Sequence, residues 1–470
     1  MSIALTDEIR YDLERRLAGR KFMGVEIGLT LKPLLLTTKE ISFCHAVKQM
    51  MHVLYLLMFG PRHRKMLPRL RCGIGLILLN SDLSRFVKLI LPIVSTFKHD
   101  EYNIMTCTES APTSFPKEIG WCQACCALPL HSFSARVKAV AESPCYLGEL
   151  YRWVRDNRLP ATIIPEFLFN ICYRYVYIKG AYEFLEKVRP RFVMADYEHL
   201  HPWSSLVLVA RQKGIPTLNL MHGEIYSAYA WLPMLSDVIA CWGESQKRQL
   251  IGFGLDVGRI RVCGCPRIDR SINVDVAGVR SRLCIDAMKP VVLLATNPIL
   301  WEYREKQVTV FAEALKDVGK VQGLVRLHPS ERLEQYAGLS ARFPWIKFYD
   351  AQSWTLEESI AVSRVVVNHD SGLGDDALVY GRPVIELDVL PIGLTNGRKL
   401  VERAGCPLAK DAGELRKTIV DLCMNEDSYR RHLGLAEPFI KDLFFAVGDE
   451  AGRNTASVLR EIAVFDRTGN

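Results

Sequence analysis

The chain has 470 residues, of which 49% are hydrophobic and 24% are charged, and its formal net charge at pH 7 is +8. This composition is that of a globular protein, and the length exceeds the roughly 250–300 residues that one hydrophobic core usually supports. We therefore expect two domains. The positive charge is mild and dispersed, and no arginine-aromatic alternation appears, so the sequence indicates an anionic ligand or an anionic membrane surface rather than a nucleic-acid partner.

The 14 cysteines do not indicate a disulfide scaffold, because the chain is large and begins without a signal peptide. The tightest cluster is Cys122, Cys125 and Cys126, and no second pair stands at a zinc-site spacing. We therefore predict no bound metal and reduced thiols, which indicate the cytoplasm.

Residues 1–70 are expected to form a helical extension. Three apolar residues near the start repeat at helical spacing: Ile9, Leu13 and Leu17. A second helix is predicted over Thr38–Phe59, whose apolar run Val53–Phe59 is too short to span a bilayer. Basic residues 61–65 follow it. The apolar run and the basic segment after it are interpreted either as a buried helix with a solvated loop or as a peripheral contact with the inner face of a membrane.

Residues 71–270 show the alternation of strands and helices that is typical of a Rossmann-like domain. Strands are predicted at 73–79, 102–107, 192–195, 217–221 and 238–243. Helices are predicted at 83–97, 134–142, 146–157, 167–188, 204–213 and 245–252. The turn Asn80–Ser84 would lie at a carboxyl end of the sheet, where ligands bind in such folds. A dinucleotide cofactor is not predicted, because the chain contains no GxGxxG motif.

Residues 271–445 repeat the same alternation and predict a second Rossmann-like domain. Strands are expected at 290–296, 323–327, 346–348, 365–367 and 384–387. Helices are expected at 305–318, 330–339, 355–361, 375–380, 414–424 and 426–447. Residues 446–470 are predicted to form a helix that packs back on the first domain.

The stretch Val365–Asp388 predicts a strand, a glycine turn, a helix and a second strand. Free backbone N–H groups at such a turn suit a phosphate or pyrophosphate, and Ser371, Gly372 and Gly374 are the candidate residues. Asp376 can accept hydrogen bonds from ribose hydroxyls. An ordinary connection between a helix and a strand, with no ligand, is the alternative interpretation.

Four segments, in this order and spacing, resemble nucleotide-sugar enzymes of the GT-B superfamily over roughly residues 183–421. The segments are Phe192–Asp196 with Thr217–Gly223, then Val262–Asp269, then Leu324–Glu331, and then the glycine turn. The similar families are capsular polysaccharide glycosyltransferases, CDP-glycerol glycerophosphotransferases and UDP-N-acetylglucosamine 2-epimerases. The resemblance implies an α/β fold of two Rossmann-like domains facing a cleft, with the donor on residues 271–445 and the acceptor on residues 71–270.

The resemblance also implies roles for individual residues. His222, in a His-Gly that follows a predicted strand, is similar to a base-like residue of the glycerophosphotransferases and can accept the proton of an acceptor hydroxyl. Arg326 and His328 lie in Arg-Leu-His-Pro, and the implied role is contact with the donor phosphates, where a protonated imidazole would offset developing charge. Glu331 resembles the acidic residue that follows His-Pro in the superfamily, and Arg267 resembles a residue near the donor.

Two departures from the superfamily pattern bear on the donor. Asp376 stands where the superfamily usually has Glu, so its carboxylate has a shorter reach. Ser371-Gly372 replaces the paired serines of the glycerophosphotransferases, which favours a sugar nucleotide over CDP-glycerol.

The loop from Asp196 to Pro202 crowds two carboxylates and two histidines. Asp196 and Glu198 are alternative candidates for the base. A metal site that uses His199 and His201 is a second interpretation, and a solvated loop is the third.

The sequence therefore predicts a metal-independent glycosyltransferase that needs no cofactor and transfers a sugar from a nucleotide-sugar donor to a glycan or lipid-linked glycan acceptor. We expect it to act in surface polysaccharide biosynthesis, such as that of a capsule. A UDP-amino-sugar 2-epimerase, a polyol-phosphate transferase and a non-catalytic nucleotide-sugar-binding subunit are the alternatives.

Overall fold

The chain forms two compact units in a computed structural model. The model describes residues 7–27, 29–30, 51, 70–79, 83–106, 120–123, 141, 143–199, 202–225, 228–270, 274–394 and 397–465. One unit comprises Met1–Arg267 together with Phe445–Asn470, and the other comprises Ile268–Phe444. Several predictions concern residues outside the described ranges: most of the 38–59 helix, the basic residues 61–65, Asn80, most of the 134–142 helix, Cys125, Cys126 and His201.

The first unit contains a parallel seven-stranded sheet in the order β5-β4-β3-β6-β7-β8-β9. Its strands are β3 (Gly75–Leu79), β4 (Tyr102–Thr106), β5 (Gly120–Gln123), β6 (Val193–Ala195), β7 (Thr217–Leu220), β8 (Val238–Cys241) and β9 (Ile260–Val262). β3 and β8 consist of continuous apolar, buried residues, as expected of central parallel strands that are covered on both faces. The strand order reverses between β3 and β6, so the carboxyl ends of these two strands define the ligand-binding edge expected of the fold.

The helices of the first unit pack on this sheet and on one another. Their bounds are Asp7–Leu17, Leu83–Val94, Leu147–Asp156, Ile164–Val188, Trp203–Gln212, Ala228–Trp231, Glu244–Gly252 and Gly448–Phe465, with short 3₁₀ turns at Ser143–Tyr146, Ala161–Ile163 and Val257–Arg259. The last helix lies against helix Leu83–Val94, and its Leu459 is buried in one core cluster with Ile77 and Ile90. A Cβ atom at Gly452 would overlap the backbone of Pro92, so this crossing requires glycine.

The described part of the N-terminal extension belongs to the core of the first unit. Leu13 and Leu17 of the first helix are fully buried in its main cluster. The indole N–H of Trp153 donates to the Ile9 carbonyl at 2.9 Å. The extension also contains an element that the sequence did not predict, because β1 (Lys21–Phe22) and β2 (Val25–Glu26) form an antiparallel hairpin around Gly24, whose φ is +82°.

The second unit contains a parallel six-stranded sheet in the order β12-β11-β10-β13-β14-β15. Its strands are β10 (Val291–Ala295), β11 (Gln322–Arg326), β12 (Ile346–Tyr349), β13 (Val365–Asn368), β14 (Val384–Leu387) and β15 (Leu408–Ala409). Its helices are Val276–Arg282, Trp301–Leu315, Ala337–Arg342, Leu356–Val362, Leu373–Val379, Arg398–Ala404, Ala412–Met424 and Glu426–Leu443, with a 3₁₀ turn at Leu333–Tyr336. The order reverses between β10 and β13, which places the expected ligand edge at their carboxyl ends.

Local signals in the sequence account for several of these bounds. Thr355 caps helix Leu356–Val362 through a reciprocal pair of bonds with Glu358. Asp411 accepts from the Glu414 N–H at the start of helix Ala412–Met424. Among the described helices, none is long and apolar enough to cross a membrane.

Candidate functional site

The carboxyl ends of β10 and β13 lie side by side in the second unit, because these strands are neighbours in the parallel sheet. Thr296 and Asn297 follow β10, and His369 follows β13. The Asn297 side-chain amide donates to the His369 carbonyl and so joins the two ends. Arg326 is the last residue of β11, the neighbour of β10 on the other side, and His328 follows that strand. The structure therefore brings the predicted donor-binding segments to one edge of one sheet.

Glu331 anchors the His328 segment from beneath. Its side chain is 2% exposed, and one carboxylate oxygen accepts from the Thr296 hydroxyl at 2.5 Å, the Tyr336 hydroxyl at 3.0 Å and the His328 backbone N–H at 3.2 Å. The other oxygen pairs with Arg304 at 3.0 Å. Protein groups thus surround the carboxylate that the sequence assigned to the donor, and its geometry is that of a residue that positions His328.

The prediction of a helix over 330–339 was wrong in its start and its type. Residues 329–330 form a turn, a 3₁₀ turn follows at Leu333–Tyr336, and the α-helix begins only at Ala337. The Glu331 N–H donates to the His328 carbonyl at 2.8 Å, while the Glu331 side chain turns inward to Thr296. Thr296 follows β10 and lies thirty-five positions from Glu331 in sequence, so a local pattern does not reveal this contact.

The hydrogen bonds of His328 determine which ring nitrogen carries the proton. Its Nδ1 accepts from the Ser330 backbone N–H at 3.2 Å and lies 2.8 Å from the Ser330 hydroxyl. Because a backbone N–H can only donate, Nδ1 is unprotonated, and the hydrogen of the neutral ring is on Nε2. In a protonated imidazole, an Nδ1–H would point at the Ser330 N–H, and two donors would face each other. The structure therefore favours a neutral His328 ring that donates from Nε2.

Arg326 ends β11 and is 9% exposed. Burial lowers the pKa of its guanidinium, and the nearby Glu357 carboxylate opposes that change. The buried Nε makes no hydrogen bond among the residues that the structure describes. A cation that is buried in this way gains most from an anionic ligand, because its charge has lost the solvation of water.

The glycine turn differs in detail from its prediction. The left-handed conformation belongs to Asp370, whose φ is +55°, whereas Gly372 has a φ of −61° and precedes helix Leu373–Val379. A Cβ atom at Gly372 would meet no described atom within 4 Å, whereas one at Gly374 would lie 2.7 Å from Leu400 and 2.8 Å from the Asn368 side chain. Gly372 therefore faces open space, whereas the lack of a side chain at Gly374 allows Leu400 and Asn368 to pack closely against it.

Polar contacts behind the turn hold its shape. The carbonyl of Ser371 accepts from the Asn368 side chain at 3.1 Å and from the Gly374 N–H at 3.1 Å. The Asn368 amide also donates at 2.6 Å to Glu386, a fully buried carboxylate. Burial raises the pKa of Glu386 to about 7, and the bond from Asn368 partly opposes that rise.

The two carboxylates after the turn have different surroundings. Asp375 is 3% exposed and pairs with Lys399 at 2.9 Å. Asp376, the ribose candidate, is also 3% exposed, and its backbone N–H donates to the Gly372 carbonyl at 3.3 Å. Both residues lie in the first turn of the helix, where negative charge is favoured.

His369 is a candidate that the sequence analysis missed. It is 1% exposed, and its Nδ1 donates to the Leu387 carbonyl at 2.8 Å. The lone pair of the neutral ring is therefore on Nε2, which is buried without a hydrogen-bond partner among the described residues. Its position directly after the strand at the reversal of strand order was the available signal.

In the first unit, His222 follows β7 and lies against aromatic rings. Its ring centroid is 4.9 Å from that of Tyr197 and 5.4 Å from that of Trp231. Trp242 donates to the Met221 carbonyl at 2.9 Å, which fixes the backbone before the histidine. Gln246 donates to the Gly223 carbonyl at 3.2 Å and fixes the backbone after it. The backbone is therefore held on both sides of His222, and the ring itself packs against Tyr197 and Trp231.

The tautomer of His222 is opposite to that of His328. His222 Nδ1 lies 2.9 Å from the carbonyl oxygen of Asp196. A carbonyl can only accept, so Nδ1 carries the hydrogen and Nε2 carries the lone pair of the neutral ring. This arrangement suits a base that takes a proton at Nε2.

The carboxylates of the loop after β6 are enclosed. Glu198 is fully buried and accepts from the backbone N–H groups of Leu235 at 2.8 Å and Ser236 at 2.7 Å, and from the Ser236 hydroxyl. Burial raises the pKa of Glu198, and these hydrogen bonds oppose that rise. The geometry assigns Glu198 to the framework of the loop rather than to proton transfer. Asp196 is also fully buried, and its backbone carbonyl orients His222.

Two further candidates complete the predicted set. Arg267 places its guanidinium over the Trp242 ring at 5.4 Å, within the same unit. His199 is fully buried, and its Nε2 lies 3.8 Å from the Glu198 carboxylate. The described residues contain no group of three side chains that could hold a metal ion, and His201 lies outside them.

No protein-family model matches the chain, and no curated protein matches it. Solved structures do match over most of its length. The UDP-GlcNAc 2-epimerase from Neisseria meningitidis, bound to UDP-GlcNAc, is 13% identical over 83% of this chain and 99% of its own, with a TM-score of 0.52. The chain has the GT-B fold.

Other GT-B proteins are similar to the same degree. A glycosyltransferase from Rickettsia africae is 12% identical over 83% of this chain and 99% of its own, with a TM-score of 0.52. The Anabaena protein HepE, in complex with UDP and glucose, is 13% identical over 83% of this chain and all of its own, with a TM-score of 0.51. These similarities confirm the predicted α/β fold of two Rossmann-like domains.

Proposed function

We propose that the chain is a glycosyltransferase that moves a sugar from a nucleotide-sugar donor to a hydroxyl of a glycan or lipid-linked glycan, in the biosynthesis of a surface polysaccharide. The observation that carries the proposal is the carboxyl edge of the second sheet, where the strand order reverses between β10 and β13. Arg326 and His328 lie at the end of β11, the neighbour of β10, and the turn at Gly372 follows β13. The similar structures that bind UDP or a UDP-sugar support this assignment.

The donor diphosphate would lie along this edge. Arg326 would supply positive charge that is little screened by water, and the Nε2–H of His328 would donate to a phosphate oxygen or to the leaving oxygen. Gly372 would let the diphosphate approach the backbone, and Asp376 would accept from the ribose. These groups would stabilise the leaving nucleoside diphosphate without a metal ion, so we expect turnover to survive EDTA.

The acceptor hydroxyl would give its proton to Nε2 of His222. Its oxygen would then attack the anomeric carbon of the donor sugar, and the bond from that carbon to the diphosphate oxygen would break. The nucleoside diphosphate would leave with the electron pair of that bond. The Asp196 carbonyl would stabilise the imidazolium, because Nδ1–H already points at it.

The matched test is His222→Gln against His99→Gln, the latter an exposed histidine of the same unit. Each full-length protein would be incubated with a panel of nucleotide sugars and a glycan acceptor, and released nucleoside diphosphate and product would be separated by chromatography. Loss of a general base is expected to lower turnover about 10²- to 10⁴-fold in His222→Gln. Equal turnover in parent and His222→Gln would reject the role of His222.

A UDP-amino-sugar 2-epimerase is the second candidate, because the meningococcal epimerase and the rickettsial transferase have the same TM-score to this chain. The enclosed Glu198 weighs against it, since epimerisation at C2 needs acid and base groups close to the sugar. Incubation with UDP-N-acetylglucosamine and no acceptor distinguishes the two. Appearance of the C2 epimer by NMR would support the epimerase and contradict the transferase.

A further inference from the structure

The opposite edge of the second sheet carries a basic pocket. It has a volume of about 280 Å³ and lies where β10, β13 and β14 begin, at the end of the strands away from Arg326 and His328. Four of its lining residues are cations, and none of the lining residues is acidic. The cations are Arg280, Lys289, Arg364 and Arg382. We refer to these four residues and the space between them as the basic pocket.

Two of the four cations are held by backbone carbonyls. Arg280 donates to the carbonyls of Asp286, Lys289 and Val362, at 2.6, 3.1 and 3.3 Å. Arg382 donates to the carbonyl of Ala361 at 3.0 Å. Carbonyl dipoles orient these guanidinium groups but do not cancel their charge, so both contribute a positive potential to the pocket.

The other two cations keep donors that the protein does not use. Arg364 stacks on the Tyr429 ring at 4.1 Å and pairs with Glu426 at 2.6 Å, yet its buried Nε has no partner among the described residues. The ammonium of Lys289 makes no ion pair or hydrogen bond within the described part of the chain, although the residue is half-buried. Glu426 is shared with Arg430 at 3.2 Å, so it only partly offsets Arg364.

We propose that the basic pocket binds a phosphate group, held between Lys289 and Arg364 in the field of Arg280 and Arg382. A phosphate offers several strong acceptors and a charge near −2 at neutral pH, which matches two unused donors and a net positive lining. The pocket has room for a phosphate with some of its water, since one water takes about 30 Å³ in the liquid. The exposed Met288 on the rim would contact an acyl chain if the phosphate belongs to a lipid.

This site is separate from the carboxyl edge, and the proposal does not depend on the glycosyltransferase assignment. Lys289→Gln is the principal variant, because the ammonium of Lys289 makes no hydrogen bond or ion pair within the described residues and the substitution keeps the backbone carbonyl that Arg280 contacts. Arg364→Gln is the second variant. Lys316→Gln, an exposed lysine of the same unit, is the control.

Two assays with the full-length chain identify the source of the phosphate. Calorimetric titration with inorganic phosphate and pyrophosphate tests a soluble anion. Co-sedimentation with phosphatidylcholine vesicles, with and without phosphatidic acid, tests a lipid headgroup. We expect Lys289→Gln to weaken binding at least about fivefold in one of the two assays, the effect of losing one charged hydrogen bond, with Lys316→Gln unchanged.

Loss in the titration supports a soluble phosphate, and loss only with phosphatidic acid supports a lipid headgroup. Phosphate binding at the carboxyl edge is expected to be the same in the parent and the variants, so a difference between them reports on the basic pocket. The proposal is overturned if the parent binds in neither assay, or if Lys289→Gln and Arg364→Gln bind as the parent does in both.

Discussion

Replacing Glu331 by Gln should destabilise the second unit and disturb His328, although the sequence pattern suggested that Glu331 binds the donor. The carboxylate receives three hydrogen bonds and one ion pair, and its side chain is 2% exposed. Gln keeps the shape but turns one acceptor into a donor. The hydroxyls of Thr296 and Tyr336 can reorient, whereas the His328 N–H cannot.

The magnitude follows from these contacts. Breaking a buried ion pair costs about 3–5 kcal/mol, and a hydrogen bond to a charged group contributes about 1.5–3 kcal/mol. Arg304 retains 13% exposure and can recover some hydration, so we expect the lower end, about 3 kcal/mol. For a unit of this size that corresponds to a fall in Tm of roughly 6–12 °C.

The assay is thermal unfolding of the full-length chain, followed by donor titration at a temperature where the variants are folded. Glu334→Gln, an exposed residue of the adjacent 3₁₀ turn, is the control and should change stability by less than about 0.5 kcal/mol. We expect Glu331→Gln also to weaken donor binding, because the His328 N–H loses one of its two acceptors and keeps only the Thr296 hydroxyl oxygen at 3.0 Å. If Glu331→Gln and Glu334→Gln have the same Tm, the anchoring role is refuted.

Two other predictions concern the turn after β13. Gly372→Val should leave the unfolding free energy nearly unchanged but weaken nucleoside diphosphate binding. Gly374→Ala should lower the unfolding free energy by about 1–3 kcal/mol, because its Cβ meets Leu400 and Asn368. Binding by Gly372→Val as tight as that of the parent would reject the phosphate role of the turn. Burial raises the pKa of Glu386 from 4.5 to about 7, so the protonated form is favoured in the folded state and stability is lost as pH rises from about 4.5 through 7. Glu386→Gln should remove up to about 3 kcal/mol of this change in unfolding free energy with pH, which urea unfolding at pH 5 and pH 8 measures. If parent and variant show the same difference between the two pH values, burial does not raise the pKa of Glu386.

Sequence patterns located ten of the fifteen described strands and most of the described helices, because apolar periodicity and caps are local. The five strands that were missed, β1, β2, β5, β9 and β15, are only two to four residues long. Val365–Asn368 was predicted from its β-branched run and Val384–Leu387 from its apolar run. Thr217–Leu220 was predicted from the alternation of strands and helices along residues 71–270. The 3₁₀ turn at Leu333–Tyr336 was missed because Glu331 is drawn inward by Thr296, a residue remote in sequence.

The sequence predicted where the candidate site lies in the fold, but not the tautomers of its histidines or the roles of its carboxylates. Its residues follow strands, and parallel strands end at one edge. The ring proton of His222 depends on the Asp196 carbonyl, and that of His328 depends on the Ser330 N–H. The framework role of Glu198 depends on Ser236. Only the folded backbone supplies these partners.

The central claim is that a nucleotide sugar binds at the carboxyl edge of the second sheet. Its most direct test is calorimetric titration of the full-length chain with UDP, CDP, GDP, CMP and dTDP and their sugar conjugates. Arg326→Gln would be compared with Arg342→Gln, an exposed arginine of the same unit. We predict that at least one nucleotide binds the parent and Arg342→Gln equally, and binds Arg326→Gln at least about tenfold more weakly, the loss of a charged contact in a dry site. Failure of every nucleotide to bind, or equal binding by Arg326→Gln, would contradict the claim.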